Sequence, residues 1–229
     1  MVTLDDLLKS GVHIGHKKSK WNPKMAPFVF GVRNNLHIID ITKTLDKLNQ
    51  AVDFLRELVK SGGVILWVGA RIQSRDLIKE TAAELGMPYV SGRWIGGLFT
   101  NFKVIKERLK YFLGLEEKFA KGEMSKYTKK EQLDFERQLA KLAREMGGIR
   151  NLQTLPQAIF VTDVMAERDA VREAKRMGIK VVAVVDTSSD PSAVDYVIPA
   201  NNDSVDALKL IVAAIKDELK NIRPSVSQQ

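Results

Sequence analysis

Four short apolar runs constrain this chain most: VILWVG (64–69), AIFVTD (158–163), VVAVVD (181–186) and YVIP (196–199). Each is almost continuously apolar instead of alternating, and each is bounded by turn residues, acids or glycine. A strand with both faces covered reads this way, so the four are expected to be buried parallel strands. A shorter extended piece begins at Pro88-Tyr89-Val90. Helical stretches fall between them, at about 72–85, 166–177 and 204–221. Strands alternating with helices connect by right-handed crossovers, which predicts an α/β fold with a mostly parallel, doubly wound sheet. The length of 229 residues and the 45% hydrophobic content suffice for one such domain with an insertion.

The first third is organised differently. Leu4, Leu7 and Leu8 lead one or two helical turns. GVHIGHKKSKWNPKMAP reads as a polar, basic loop. FVFGVR and LHIID flank Asn34-Asn35, the pattern of a hairpin. Leu45, Leu48, Val52, Leu55 and Val59 recur at spacings of three and four, which predicts an amphipathic helix ending at Gly62-Gly63.

Residues 101–148 break the strand–helix alternation. Phe102, Ile105, Leu109, Phe112 and Phe119 fit a heptad seam with Glu116 as its one polar break, and Phe135, Leu139, Leu142 and Met146 continue it on a second segment. KGEMSKYTKK lies between as a polar turn. An α-helical coiled-coil hairpin inserted in the α/β domain is expected here. Residues 1–229 are thus read as a single α/β domain carrying this insertion, with 223–229 as a flexible polar tail.

Several classes of function lose their footing. The chain has no cysteine, which excludes disulfides, thiolate metal sites and cysteine nucleophiles. MVTLDDLLKSG is not the pattern of a signal peptide, and no run approaches the roughly 20 apolar residues of a membrane span. A soluble, intracellular protein is expected. The turn after VILWV is Gly69-Ala70-Arg71, which fits neither glycine-rich phosphate signature. His13-Ile14-Gly15-His16 and Met124-Ser125-Lys126 echo the two ATP signatures of class I aminoacyl-tRNA synthetases. The first follows a short helix instead of a nucleotide-fold strand, the second sits at a hairpin tip, and the chain is too short for such an enzyme. Asp163 and Asp186 end predicted strands, and Asp190 and Asp203 follow the second of these in sequence. His16 with such aspartates could hold a divalent ion, although capping and turn formation account for aspartates there without one.

The charge is one-sided. The formal net charge is +8. From Lys9 to Arg33 every charged side chain is a cation: Lys9, Lys17, Lys18, Lys20, Lys24 and Arg33. Clustered cations neutralise phosphates and release counterions, and Trp21, placed among them, offers a ring that stacks on an unpaired base or packs internally. Arg71 and Arg75 are read at the start of the helix after VILWVG, where backbone N–H groups already favour anions. Arg93 and Trp94 sit in SGRWIGG, whose glycines allow close backbone approach.

Three ordered blocks carry a family resemblance: GVHIGHKKSKWNPKMAPFVFGVRNNLHIIDITKT (11–44), SGRWIGGLFTNFKVI (91–105) and AIFVTDVMAERDAVREAKRMGIKVVAVVDTSSDPSAVDYVIPANNDSVDAL (158–208). Together they closely resemble the bacterial small-subunit ribosomal protein S-two family. The resemblance implies a flavodoxin-like doubly wound parallel sheet with the coiled-coil hairpin. It implies a cytoplasmic, ribosome-bound protein near the head–body junction of the small subunit, with no catalytic residues, cofactor, membrane or small-molecule substrate. Its implied partners are small-subunit ribosomal RNA and neighbouring ribosomal proteins, including recruitment of the messenger-binding protein S-one. The expected RNA contacts are Lys17, Lys18, Lys20, Trp21, Lys24, Arg33, Arg71, Arg75, Arg93 and Trp94. The sequence departs from the family at Ser188-Ser189, where a cysteine is common, at Met165-Ala166-Glu167-Arg168, where a basic or histidine-containing stretch is common, and at Asn202, where an acid is frequent.

Overall fold

The computed structural model describes residues 2–220 and residue 222, so the expected tail at 223–229 lies outside the described residues. The chain runs α1 (Leu4–Lys9), β1 (Ile14–Lys17), β2 (Val29–Arg33), β3 (Leu36–Ile39), α2 (Ile41–Lys60), β4 (Ile65–Val68), α3 (Arg75–Glu84), β5 (Tyr89–Val90), α4 (Phe102–Ala120), α5 (Lys129–Met146), β6 (Ala158–Val161), α6 (Arg168–Arg176), β7 (Lys180–Val185), β8 (Tyr196–Pro199) and α7 (Val205–Lys220). Short 3-10 turns join several of these.

β4 to β8 form a five-stranded sheet in the order β5-β4-β6-β7-β8, and every neighbouring pair is parallel. Counted from β4 this is the order 2-1-3-4-5 of flavodoxin-like sheets. Successive side chains of a strand point to opposite faces, and here both faces are buried. Ile65, Trp67, Phe160, Val182 and Val184 pack with α2, α3 and α7; Leu66, Val68, Ile159, Val161, Val181, Ala183 and Val185 pack with α6 and the base of α4. This two-sided burial is why the strands read as continuous apolar runs. Burying a side chain of Val, Leu, Ile or Phe stabilises by about 1.5–3 kcal/mol, so the two layers dominate the fold's stability.

The N-terminal part adds a three-stranded antiparallel sheet in the order β1-β3-β2. Asn34 (φ 50°) and Asn35 (φ 63°) make the left-handed turn that joins β2 to β3, as the flanking extended runs predict. β1 corrects the sequence reading, which has a loop at that point. Ile14 pairs with Ile38 and Lys17 with Leu36. The rest of the basic segment is two 3-10 turns, Lys18–Lys20 and Pro23–Phe28.

α4 and α5 occupy the crossover between β5 and β6. Tyr111 Oη donates to Gln138 Oε1 at 3.1 Å, tying one helix to the other. A capping box opens α5, with Thr128 accepting from the Glu131 N–H and Glu131 accepting from the Thr128 N–H. The apolar seam of α4 differs from the expected one. Leu115 is buried with Ile105, Leu109 and Phe112, whereas Glu116 turns outward and accepts from Arg150 Nη2 at 2.9 Å. Two further boundaries are corrected: α3 begins at Arg75 and α6 at Arg168, so Arg71 and the stretch 163–167 form turns at the sheet's edge.

Candidate nucleic-acid interface

The antiparallel sheet gathers the first group of cations. Leu36 on the central strand pairs with Lys17 on one side and with Arg33 on the other. Directly paired residues point to the same face, so Lys17, Leu36 and Arg33 form one row across three strands. At the usual spacing of about 4.8 Å per strand, the two cations stand about 10 Å apart at the backbone. The chain then continues beside the hairpin turn, with the Lys18 N–H donating to Asn35 O at 3.0 Å. Lys17, Lys18, Lys20 and Arg33 are all exposed. Among the described residues none of these four pairs with a carboxylate, whereas Lys9, Lys24 and Lys43 do.

Long-range hydrogen bonds dock this basic segment on the parallel sheet. The His16 N–H donates to Thr187 Oγ1 at 2.9 Å and the Asn22 N–H to Thr187 O at 2.9 Å. The Asn201 N–H donates to Val12 O at 3.0 Å. Gly15 is required at this junction, because a Cβ there would lie 2.6 Å from Thr187 Cγ2 and 3.0 Å from His37 O.

Lys24 and Trp21 are already engaged. Lys24 Nζ lies 2.7 Å from Asp190 Oδ2 and 2.9 Å from Ser192 Oγ. The hydrogen bonds from Lys24 and Ser192 hold the Asp190 carboxyl down at about 2. Trp21 is 37% exposed and stacks on buried His37, with ring centroids 5.1 Å apart. One face of the indole is therefore covered by the protein itself.

The second group lies at the C-terminal ends of β4 and β6, where the strand order reverses and α/β folds place nucleotides. Here the crevice is filled by the chain's own charges. Arg71 Nη1 donates to Asp163 Oδ2 at 2.6 Å, and Arg71 Nη2 lies 2.8 Å from Asp203 Oδ1. The Ala70 N–H, which a phosphate would otherwise seek, donates to Glu167 Oε1 at 2.7 Å. Burial raises the pKa of that Glu167 carboxyl, with the Ala70 N–H opposing the shift. Asp163 Oδ1 accepts from the N–H groups of Met165 and Ala166. Two buried acids and an occupied backbone donor disfavour a polyphosphate. Arg71 consequently faces carboxylates. Arg75 is exposed, with Asp76 as its near partner at 3.7 Å.

Asp203 links this crevice to the basic sheet. His16 Nδ1 pairs with Asp186 Oδ2, and His16 Nε2 lies 3.4 Å from Asp203 Oδ2. The three candidate ligand atoms lie within 4.8 Å of one another. One imidazole and two carboxylates give the oxygen-rich donor set the sequence reading allowed for a divalent ion. Burial pushes the Asp186 carboxyl up, against the pull of His16 and Thr187. A shallow cavity of about 440 Å³ opens on His16 and Asp203, lined also by Lys17 and Lys20, with Asp186 buried behind it.

The third group, Arg93 and Trp94, lies in the loop between β5 and α4, which Trp94 fastens to α6. Trp94 Nε1 donates to Glu173 Oε1 at 3.0 Å, and the ring meets Phe99 edge-on at 5.0 Å. Trp94 is thus half-buried and anchored, while Arg93 is exposed beside it. The sequence reading missed Glu173, Thr187 and Asn201, because each acts on segments tens to nearly two hundred residues away. Compared with known families, the chain matches the family model described as Ribosomal protein S2, over residues 7–221.

Proposed function

The chain belongs to the ribosomal protein S2 family, and from that premise we propose that it docks on small-subunit ribosomal RNA through the basic antiparallel sheet. The family makes it a structural, small-subunit component of the translation machinery. The finer reading is ours. The exposed cations Lys17, Lys18, Lys20 and Arg33, unpaired with any carboxylate among the described residues, carry it. Strand pairing fixes the backbone of Lys17 and Arg33, and a 3-10 turn that of Lys18 and Lys20, so the backbone positions of the four cations are set before RNA arrives. Affinity comes from phosphate contacts, with little reading of bases.

Arg75 and Arg93, both exposed, extend the contact. Lys24, Arg71, Trp21 and Trp94 support it from within, each through an internal partner, and the open face of Trp21 remains a stacking surface. The α4–α5 pair acts as a coiled-coil finger that reaches neighbouring RNA or protein, and residues 1–229 work as one domain. Phe30 on edge strand β2 is 80% exposed and Val32 is 51% exposed. This apolar pair suits a protein neighbour better than a phosphate backbone. Recruitment of protein S-one, a place at the head–body junction and a cytoplasmic location complete the proposal.

Binding of the purified protein to small-subunit ribosomal RNA across a salt titration tests it. The logarithm of the observed affinity is expected to fall linearly with log salt, with a slope reporting several phosphate contacts. Affinity that does not change with salt contradicts it.

A further inference from the structure

The loop that carries Arg93 is held by a single carboxylate. Glu173 on α6 accepts five hydrogen bonds from it. Oε1 accepts from Trp94 Nε1 at 3.0 Å and from the Gly97 N–H at 2.8 Å. Oε2 accepts from the N–H groups of Phe99 at 3.0 Å and Thr100 at 3.1 Å, and from Thr100 Oγ1 at 3.1 Å. Gly97 takes φ +84°, which brings its N–H round to the same point as those of Phe99 and Thr100. Converging backbone N–H groups of this kind form an anion-binding concavity. In a protein that meets RNA such a concavity invites a phosphate, yet the chain fills it with its own acid.

Two consequences follow. The N–H groups of Gly97, Phe99 and Thr100 are taken up by Glu173, which leaves the exposed Arg93 side chain as the cation this loop presents to RNA. The same carboxylate also fixes the start of α4, since Phe99 and Thr100 lie just before Asn101 and Phe102, where that helix begins.

We propose that Glu173 is a positioning residue for the RNA contact: its carboxylate latches the 94–100 loop and sets the direction in which Arg93 is presented. This rests on the RNA-docking reading above. Burial works against the charged form of Glu173, but the donors from Trp94, Gly97, Thr100 and Phe99 outweigh it and hold the pKa below the ordinary value. The carboxylate is therefore charged throughout the neutral range, as a latch requires.

The test is a double-mutant cycle on affinity for small-subunit ribosomal RNA, using the full-length protein, Glu173→Gln, Arg93→Ala and the double variant. Glutamine keeps the size but turns an N–H₂ toward N–H donors. Arg93→Ala is expected to weaken binding about tenfold, the effect of losing a hydrogen bond to a charged group. Glu173→Gln is expected to weaken it by a similar factor when Arg93 is present and by less than about twofold when it is absent, because coupled residues are not additive. Thr100→Val, which removes one side-chain donor, keeps the test open if Glu173→Gln folds poorly; it should show a smaller loss with the same dependence on Arg93. Amide exchange at Gly97, Phe99 and Thr100 should speed up in Glu173→Gln. Equal losses with and without Arg93 overturn the proposal, as does full affinity in Glu173→Gln. If the unaltered protein itself fails to bind RNA, the docking reading falls instead, and the control reveals that directly.

Discussion

Lys17 and Arg33 flank Leu36 from opposite sides, one on each outer strand of the antiparallel sheet. They are sixteen residues apart in sequence but share one row, and neither is neutralised by a carboxylate among the described residues. Charge reversal at Lys17, Lys18 and Lys20 together is expected to weaken RNA binding uniformly across sequences. Each lost phosphate contact should reduce the slope against log salt by about 0.7–0.9. Since these side chains are exposed, stability should change by under about 0.5 kcal/mol per site. Filter binding and urea unfolding of the same variant separate the two effects.

Arg71 answers to a different measurement. Replacing it by alanine leaves Asp163, whose side chain is only 6% exposed, without its counter-charge. The expected cost is about 2–3 kcal/mol of folding stability. Urea unfolding of Arg71→Ala checks this, and an unchanged midpoint would contradict it. ATP or a nicotinamide cofactor should leave the unfolding temperature of the unaltered protein where it is, because the crevice that would take the phosphates holds Glu167, Asp163 and Arg71.

The strands of the parallel sheet, the α2 stripe and the Asn34-Asn35 turn were legible because each is local: a run, a spacing, a dipeptide. β1 was not, because Gly15, His16 and Lys17 carry no apolar alternation; partners at Leu36, Ile38 and Thr187 make them a strand. The α4 seam slipped at Leu115 because the helix packs at spacings of four, three and three against this body, while a heptad continued from Phe112 lands on Glu116. The cations of the basic segment were visible as charges. That Arg71 spends its charge on Asp163 and Asp203 was not, since those partners lie 92 and 132 residues further along the chain.

Glu167 should impose a pH dependence on stability. Its pKa is raised in the fold, chiefly by burial, so it favours the folded state when protonated. That contribution is full below its unfolded value and is lost as pH rises through the folded one. Glu167→Gln, which can still accept from the Ala70 N–H, should therefore gain in unfolding temperature relative to the unaltered protein as pH rises above the ordinary value of 4.5. A constant difference above that value would count against it.

Asp190 works in the opposite sense. Its carboxyl is depressed from 3.8 to about 2 by the hydrogen bonds from Lys24 and Ser192. The stability it contributes is present above the unfolded value and is lost as pH falls from 3.8 toward about 2. The pair is well exposed, so after screening by solvent the effect should stay under about 1 kcal/mol. Asp190→Asn should flatten that part of the acid unfolding curve and leave stability at neutral pH lower by a similar amount.

Gly148, in the turn after α5, is packed so closely that a Cβ would sit 2.3 Å from Tyr89 O. Backbone must move to admit it. Gly148→Ala is expected to cost about 1–3 kcal/mol, as overpacking does. Gly147→Ala meets nothing within 4 Å and serves as the matched control.

The central claim is that this chain rides on the small ribosomal subunit through phosphate contacts made by Lys17, Lys18, Lys20 and Arg33. Sucrose-gradient sedimentation of a lysate at moderate and at high salt, probed for this chain, tests it most directly. The account predicts that the chain travels with the small subunit at moderate salt and is shed as salt rises, and that the triple charge-reversal variant is shed at lower salt. A chain that stays at the top of the gradient in both salts, or a variant that sediments as the unaltered protein does, would contradict it.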